Sequence, residues 1–414
     1  VTVNNRFSYL HHFNDILRNS DGGTVTGQVF SGRQLRKQTD YDDSYDYQLE
    51  PVWKFHTGWL NHTLLTGFEA QYQRISTKRA TADLPNITDI FDPVVPETSI
   101  SDLSFLRDAK HSGAVDKLAA TYLSAYATDQ IDVTEQLKVR AGVRQDWWDT
   151  TMTPKVFVPG RLQPDGQLFE PGVTTGRRNA PVSWNVGTLY KLLPGVSPYV
   201  GVSRSSLANF SSEATQNGVA PPETALQYEA GVKTMLFDNR ITLTTAAYHV
   251  KRSNVFTLVG DTPVFNDQAT NGVEADLNIQ ATSQWQIEAN ATAQHAALTD
   301  NPSNPAGTGK QPIGVPSHIV NLWTTYDFAI AGLEGFEVGG GVNYRDKIYG
   351  NLLNTNSVPS YVISNVKLSF KTVRWDMALG VKNIADKRYF TAADGAGGLV
   401  GDARTLYAQG DIHF

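Results

Sequence analysis

Cysteine is absent from the 414 residues, which excludes a disulfide scaffold, a thiolate-held zinc or iron–sulfur centre and a cysteine nucleophile. No run of ~18 apolar residues occurs, and mean hydropathy is -0.31, so no helix read from this sequence crosses a bilayer. A basic excess is also missing. Lys+Arg number 35 against 41 Asp+Glu, a net charge of -6, and nucleic acid is not an expected partner. No apolar secretory segment opens the chain; either none is made, or residue 1 is not the start of the gene product. Catalytic signatures are lacking: there is no His-Glu-x-x-His, Gly-x-Ser-x-Gly or P-loop, and no Gly-x-Gly-x-x-Gly follows a strand. The nine histidines are scattered, and His11-His12, the one adjacent pair, would point to opposite faces of a strand. The expectation is no enzyme, no metal centre and no resident cofactor. With 40% hydrophobic and 18% charged residues, the chain is not globally disordered.

What is present is alternation. Leu137, Val139, Ala141 and Val143 interleave with Lys138, Arg140, Gly142 and Arg144; Val273, Ala275, Leu277 and Ile279 interleave with Glu274, Asp276, Asn278 and Gln280. The same holds around Tyr228–Lys233, Trp285–Gln294 and Trp375–Lys382. Period two is the mark of a strand with one apolar and one polar face, and a helical period explains none of these runs. Sixteen such segments are expected, at about 5–19, 45–57, 62–79, 117–131, 135–151, 181–192, 197–206, 224–236, 239–256, 270–281, 285–298, 317–328, 335–349, 360–371, 374–390 and 403–414. Many exceed a globular strand, and ~9–11 tilted residues suffice to cross a bilayer. Short turns alternate with long loops at 20–44, 80–116, 152–180, 207–223, 257–269, 299–316, 350–359 and 391–402. That pattern predicts an all-β fold, a transmembrane antiparallel up-and-down β-barrel occupying 1–414. Both chain ends then lie at the short-turn, periplasmic rim and the long loops outside.

The polar parity carries Lys138, Arg140, Arg144, Glu229, Lys233, Glu274, Asp276, Glu288, Asp376, Lys382 and Asp411. A barrel this wide cannot fill itself, so this lining faces either water or an inserted polar domain. Aromatics near strand ends, among them Tyr45, Trp53, Trp147, Trp148, Trp184, Tyr344, Tyr349 and Trp375, suit interfacial girdles.

Val381-Lys-Asn-Ile-Ala-Asp-Lys-Arg-Tyr389 resembles the Asn-Leu-Phe-Asp-Lys-Arg-Tyr stretch before the last strand of TonB-dependent outer-membrane receptors. A Gly-rich loop (Gly395, Gly397, Gly398, Gly401), Arg404 and a terminal strand ending in Phe414 follow, as in that family. Pro222-Glu223 with Tyr228-Glu229-Ala-Gly231-Val-Lys233, Tyr126-Ala-Thr-Asp129-Gln130, Ala141-Gly142-Val143-Arg144 and His62–Gly67 resemble further family strands, in the family's order. The pattern is most similar to the ferric-siderophore receptors. Those have 22 strands around a plugged lumen. The resemblance thus implies that this chain is the last sixteen strands, with six strands, the plug and the TonB-binding box lying elsewhere. The rival expectation is a true sixteen-stranded barrel that closes on itself, such as a passive porin-like channel.

The resemblance implies a transporter for a ferric siderophore, energised through the TonB complex acting on the plug, with iron carried by the siderophore. It also implies lipopolysaccharide and the rest of the bacterial outer membrane as surroundings, and the barrel-assembly machinery as a partner reading Phe414. Ligand-contact candidates, chosen near the outer strand ends, are Tyr72, Arg74, Trp148, Arg252, Tyr344 and Tyr349, with Arg177 and Arg178 in the loop before strand six. Rings and guanidinium groups suit hydroxamate or catecholate chelates.

Overall fold

The computed structural model describes residues 1–20, 24–94, 98–107, 114–155, 171–209, 221–259, 262–302, 304–394 and 397–413. Its main sheet comprises seventeen strand segments. Two of them, Thr175–Asn179 and Val182–Tyr190, pair in succession with the same neighbour and flank Ala180 and Pro181. Proline cannot donate to a ladder, so these are one interrupted strand, and the sheet has sixteen.

In chain order they are β1 (Thr2–Ser20), β2 (Gln34–Thr57), β3 (Leu60–Asp83), β4 (Ala114–Asp132), β5 (Leu137–Pro154), β6 (the interrupted pair), β7 (Val196–Leu207) and β8 (Glu223–Leu236). Then follow β9 (Ile241–Val259), β10 (Thr262–Gln280), β11 (Trp285–Asp300), β12 (His318–Ile330), β13 (Leu333–Arg345), β14 (Tyr361–Lys371), β15 (Trp375–Lys382) and β16 (Thr405–Ile412). Each pairs antiparallel with the next. This is the expected up-and-down meander. Among the described residues no register joins β1 to β16, so the ladder that a self-closing sixteen-strand channel needs is not seen.

Directly paired residues share a face, and the registers carry one face unbroken around the sheet. Phe7, Tyr47, Ala70, Leu123 and Trp147 stand on the outer face. So do Val143, Trp184, Val200, Ala230, Ala247, Val273, Ala293, Val320 and Val342. The opposite face holds every residue assigned above to the polar parity. The outer face is apolar and exposed: Phe7, Val143, Val200 and Val273 are each at least half exposed.

Several boundaries differ from the sequence expectation; β6 begins at Thr175 rather than 181, so Arg177 and Arg178 stand on a strand and not in a loop. β2 begins at Gln34 rather than 45, and β10 at Thr262 rather than 270, so 257–259 and 262–269 are strand where a loop was expected. Beyond the apolar band both parities are polar, as in Arg36, Lys37, Gln38 and Asp40, and alternation has nothing to register. β13 ends at Arg345; Ile348–Tyr349 instead pairs with Ser357–Val358 in a small loop hairpin. β15 stops at Lys382 rather than 390 because Asn383 turns the chain at φ 50°. The buried Asn383 side chain donates to the Lys387 and Asp402 carbonyls and accepts from the Lys387 N–H. Phe414 lies outside the described residues.

Candidate functional site

The inner face is a continuous hydrogen-bonded wall. Across β2–β5, Glu69 lies 2.7 Å from Arg144, whose Nε donates to Asp146 at 2.8 Å, while Ser124 donates to Asp146 at 2.6 Å. Tyr126 donates to Glu50 at 2.6 Å and lies across Gly67, where any Cβ would collide with the ring. Tyr199 repeats the arrangement: it covers Gly231, donates to Glu229 at 2.6 Å, and carries Lys233 5.5 Å from its ring centroid. Glycine at these inner positions lets a ring lie flat on the wall.

On the other half of the sheet four asparagines form a row. Asn365 donates to Asn343 at 3.1 Å, Asn343 to Asn321 at 2.7 Å, and Asn321 to Asn290 at 2.7 Å. The Asn383 backbone N–H donates to Asn365 at 2.9 Å and closes one end. Sequence reading missed this row. Each asparagine sat on the polar parity, but only the register shows that they are neighbours.

At the long-loop end of the same face the loops form a platform. Arg345, on the inner parity of β13, donates to the Thr391 carbonyl at 2.8 Å and the Gly314 carbonyl at 3.0 Å. Below it Ile348, Val358, Ala393 and Phe390 pack together, and Val264, Leu298, Leu352 and Ile313 form a second cluster. Arg345 was not among the sequence candidates.

The eight ligand-contact candidates divide by face. Trp148, Arg177 and Arg252 lie on the inner face near the long-loop rim. Trp148 is buried and meets Tyr122 edge-on, centroids 6.1 Å apart. Arg177 pairs in register with Thr150, two residues along from Trp148, so these two are diagonal neighbours. Arg252 stands three strands from β6, ~14 Å away at strand spacing, and its Nη2 lies 2.7 Å from Glu223. Tyr72, Arg74, Arg178 and Tyr344 stand on the outer face instead. Tyr72 pairs with Tyr45, Tyr344 with Val320, Arg178 with Asp149 and Arg74 with Asp43. The structure therefore does not bring these four to the lumenal wall. Sequence position gave height along the strand, but not the face, because near the rim both parities are mixed. Tyr349 belongs to the loop hairpin: its carbonyl accepts from Gly314 N–H at 2.9 Å, and Lys347 lies over its ring. Among the described residues no group of three or more His, Cys, Asp or Glu is placed to hold a metal ion.

The family profile "TonB dependent receptor-like, beta-barrel" matches residues 1–384. The chain belongs to the TonB-dependent receptor β-barrel family. That family is one of outer-membrane receptors and transporters, not of enzymes. The TonB-dependent receptors most similar in sequence include the probable siderophore receptor PiuA of Acinetobacter baumannii, 26% identical over 430 residues, covering 95% of this chain and 56% of that protein. The metal-pseudopaline receptor CntO of Pseudomonas aeruginosa is 26% identical over 384 residues, covering 90% of this chain and 51% of its own. Among solved structures, the siderophore receptor PiuA from Acinetobacter baumannii superposes with a TM-score of 0.80 at 21% identity, over 99% of this chain and 61% of that one. The chain thus spans about half the length of the curated relatives it matches.

Proposed function

We propose that this chain is sixteen strands of the wall of a longer TonB-dependent receptor that takes up a ferric siderophore, driven through TonB acting on a plug outside residues 1–414. The long loops face outward and the short turns face the periplasm. Iron arrives chelated and needs no ligand from the protein. The observation that carries the reading is the inner wall. Asp40 and Asp42 each accept one hydrogen bond there, yet each keeps a second, buried carboxylate oxygen without a partner. A buried acceptor left unmet costs ~1–3 kcal/mol, and donors of an inserted domain would meet it. The names of the relatives, siderophore and metal-pseudopaline receptors, support this ligand class.

Within that lumen, Arg177 and Arg252 are the chelate-facing candidates, with Trp148 buried in the wall diagonal to Arg177 and the loop platform pinned by Arg345. Spaced guanidinium groups fit a flat, anionic metal chelate, and the buried Trp148 acts as a support for the neighbouring Arg177. The test is ferric-siderophore titration of the complete receptor. Arg252→Ala and Trp148→Ala are each expected to weaken binding about tenfold, ~1.4 kcal/mol. Unchanged affinity in both would remove them from the site.

A further inference from the structure

We infer that Glu223 is a specificity-determining residue of the ligand site, one that penalises ferric chelates for their negative charge. The inference rests on the proposed transport reading and on Arg252 as a chelate contact. Its geometry is a single fork. Arg252 Nε donates to Glu223 Oε1 at 2.8 Å, and Nη2 lies 2.7 Å from the same oxygen. One edge of the guanidinium is thereby occupied, which leaves the Nη1 side for a ligand. Exposure is unequal: the Glu223 side chain is 13% exposed and that of Arg252 41%. The carboxylate is set into the wall, and the guanidinium is the more open of the two. Among the described residues no hydrogen bond reaches the second carboxylate oxygen, Oε2. An approaching anion therefore meets donors with a fixed negative charge close beside them.

No neighbouring charge dilutes that effect. Glu229 is the next inner-face charge along β8, ~20 Å away at strand rise. Between its level and the long-loop rim, the described inner-face residues of β7–β10 are otherwise uncharged, Ser205, Ala225, Gln227, Val250 and Gln268 among them. One residue also holds the pair at both ends. The register slips between Arg252 and Val255, and Asn254 stands in that bulge at φ 58°. Asp267 fixes the bulge, accepting from the Asn254 N–H and the Ser253 hydroxyl, each at 3.1 Å. The Asn254 side chain then donates to the Pro222 carbonyl at 3.1 Å, one residue before Glu223. Asn254 is therefore a positioning residue for both charges. A fixed charge acts on a ligand in proportion to the ligand's own charge. A ferric trihydroxamate is neutral and a ferric tris-catecholate is a trianion, so Glu223 opposes the second and is nearly silent toward the first.

The experiment is titration of the complete receptor in lipid nanodiscs with two probes, a neutral ferric trihydroxamate and a ferric tris-catecholate. Wild type, E223Q, E223D, N254G and R252A are compared. E223Q should bind the tris-catecholate about fivefold more tightly and the trihydroxamate as wild type does. E223D keeps the charge and should keep the wild-type ratio of affinities. N254G keeps the left-handed backbone but releases the Pro222 carbonyl. It should move the ratio in the same direction as E223Q by a smaller factor, so the test survives if E223Q fails to fold. A Glu223 that only braces the wall would weaken both probes alike on removal. Equal changes for the two probes, or an unchanged tris-catecholate affinity in E223Q, would overturn the assignment, while a loss in R252A would still support Arg252 as a contact. Unchanged affinity of R252A for both probes would overturn that contact and the role of Glu223 with it. Binding of neither probe by wild type would overturn the ligand class itself, and the assignment with it.

Discussion

Asp346 sits just past the end of β13, where its Oδ2 lies 3.0 Å from Nδ1 of His318. That contact outweighs the opposing effect of burial and holds the carboxyl below its ordinary value of 3.8. A carboxylate with a depressed value stabilises the folded loop above its unfolded pKa, and that stability disappears as pH falls through the depressed value. Amide protection in segment 346–358, followed by hydrogen exchange, is therefore expected to hold at pH 5 and to fade below about pH 4. Asp346→Asn should flatten that profile; an unaltered profile would sink the assignment. Arg345 works at the same scale but by geometry, because one planar fork serves two carbonyls from different loops.

At the scale of elements, the asparagine row ties β11 to β14 through side chains as well as through the backbone ladder. Asn343→Ala would leave the Asn321 carbonyl oxygen and one Asn365 N–H unpartnered on the wall. We expect ~1–3 kcal/mol of lost stability, measurable by urea unfolding in vesicles. A loss below ~0.5 kcal/mol would mean that water replaces the amide. The strands themselves were legible in the sequence because an apolar outer face and a polar inner face impose period two wherever the wall crosses lipid. Above the apolar band that contrast vanishes, which is why the sequence pattern falls short of the full β2 and β10 and leaves the faces of Tyr72, Arg74, Arg178 and Tyr344 open. The Val381–Tyr389 stretch was visible as a motif. What it does locally, an asparagine-centred turn that ends β15, needs the carbonyls of Lys387 and Asp402, and no spacing rule supplies the second of these.

For the whole molecule the decisive fact is that β1 and β16 have no described partner on their outer sides. An unpaired strand edge does not persist in lipid, so further strands are expected to stand between them in the complete receptor. These 414 residues contain no cysteine, so single thiols placed in them meet no other within this stretch. Single cysteines at Phe7 on β1 and at Leu406, Ala408 or Gly410 on β16 all face outward. A disulfide needs Cα atoms within about 7 Å, so no pair should cross-link under oxidation. Efficient cross-linking of any pair would establish a sixteen-strand closure and return the passive channel to consideration.

The asparagine row also has a direction. An amide side chain can turn end for end, exchanging donor and acceptor, but a backbone N–H cannot. Because the N–H of Asn383 addresses the oxygen of Asn365, Asn365 must offer its nitrogen to Asn343, and each later member is obliged to follow. The sense of the whole series is decided at the turn that ends β15. At the far end, Asn290 has accepted with its oxygen and is left with its nitrogen to offer, and its register partner on β10 is Asp276. One immobile proton at the rim thus dictates, four strands away, that the lumen meets a donor beside a carboxylate rather than a second acceptor.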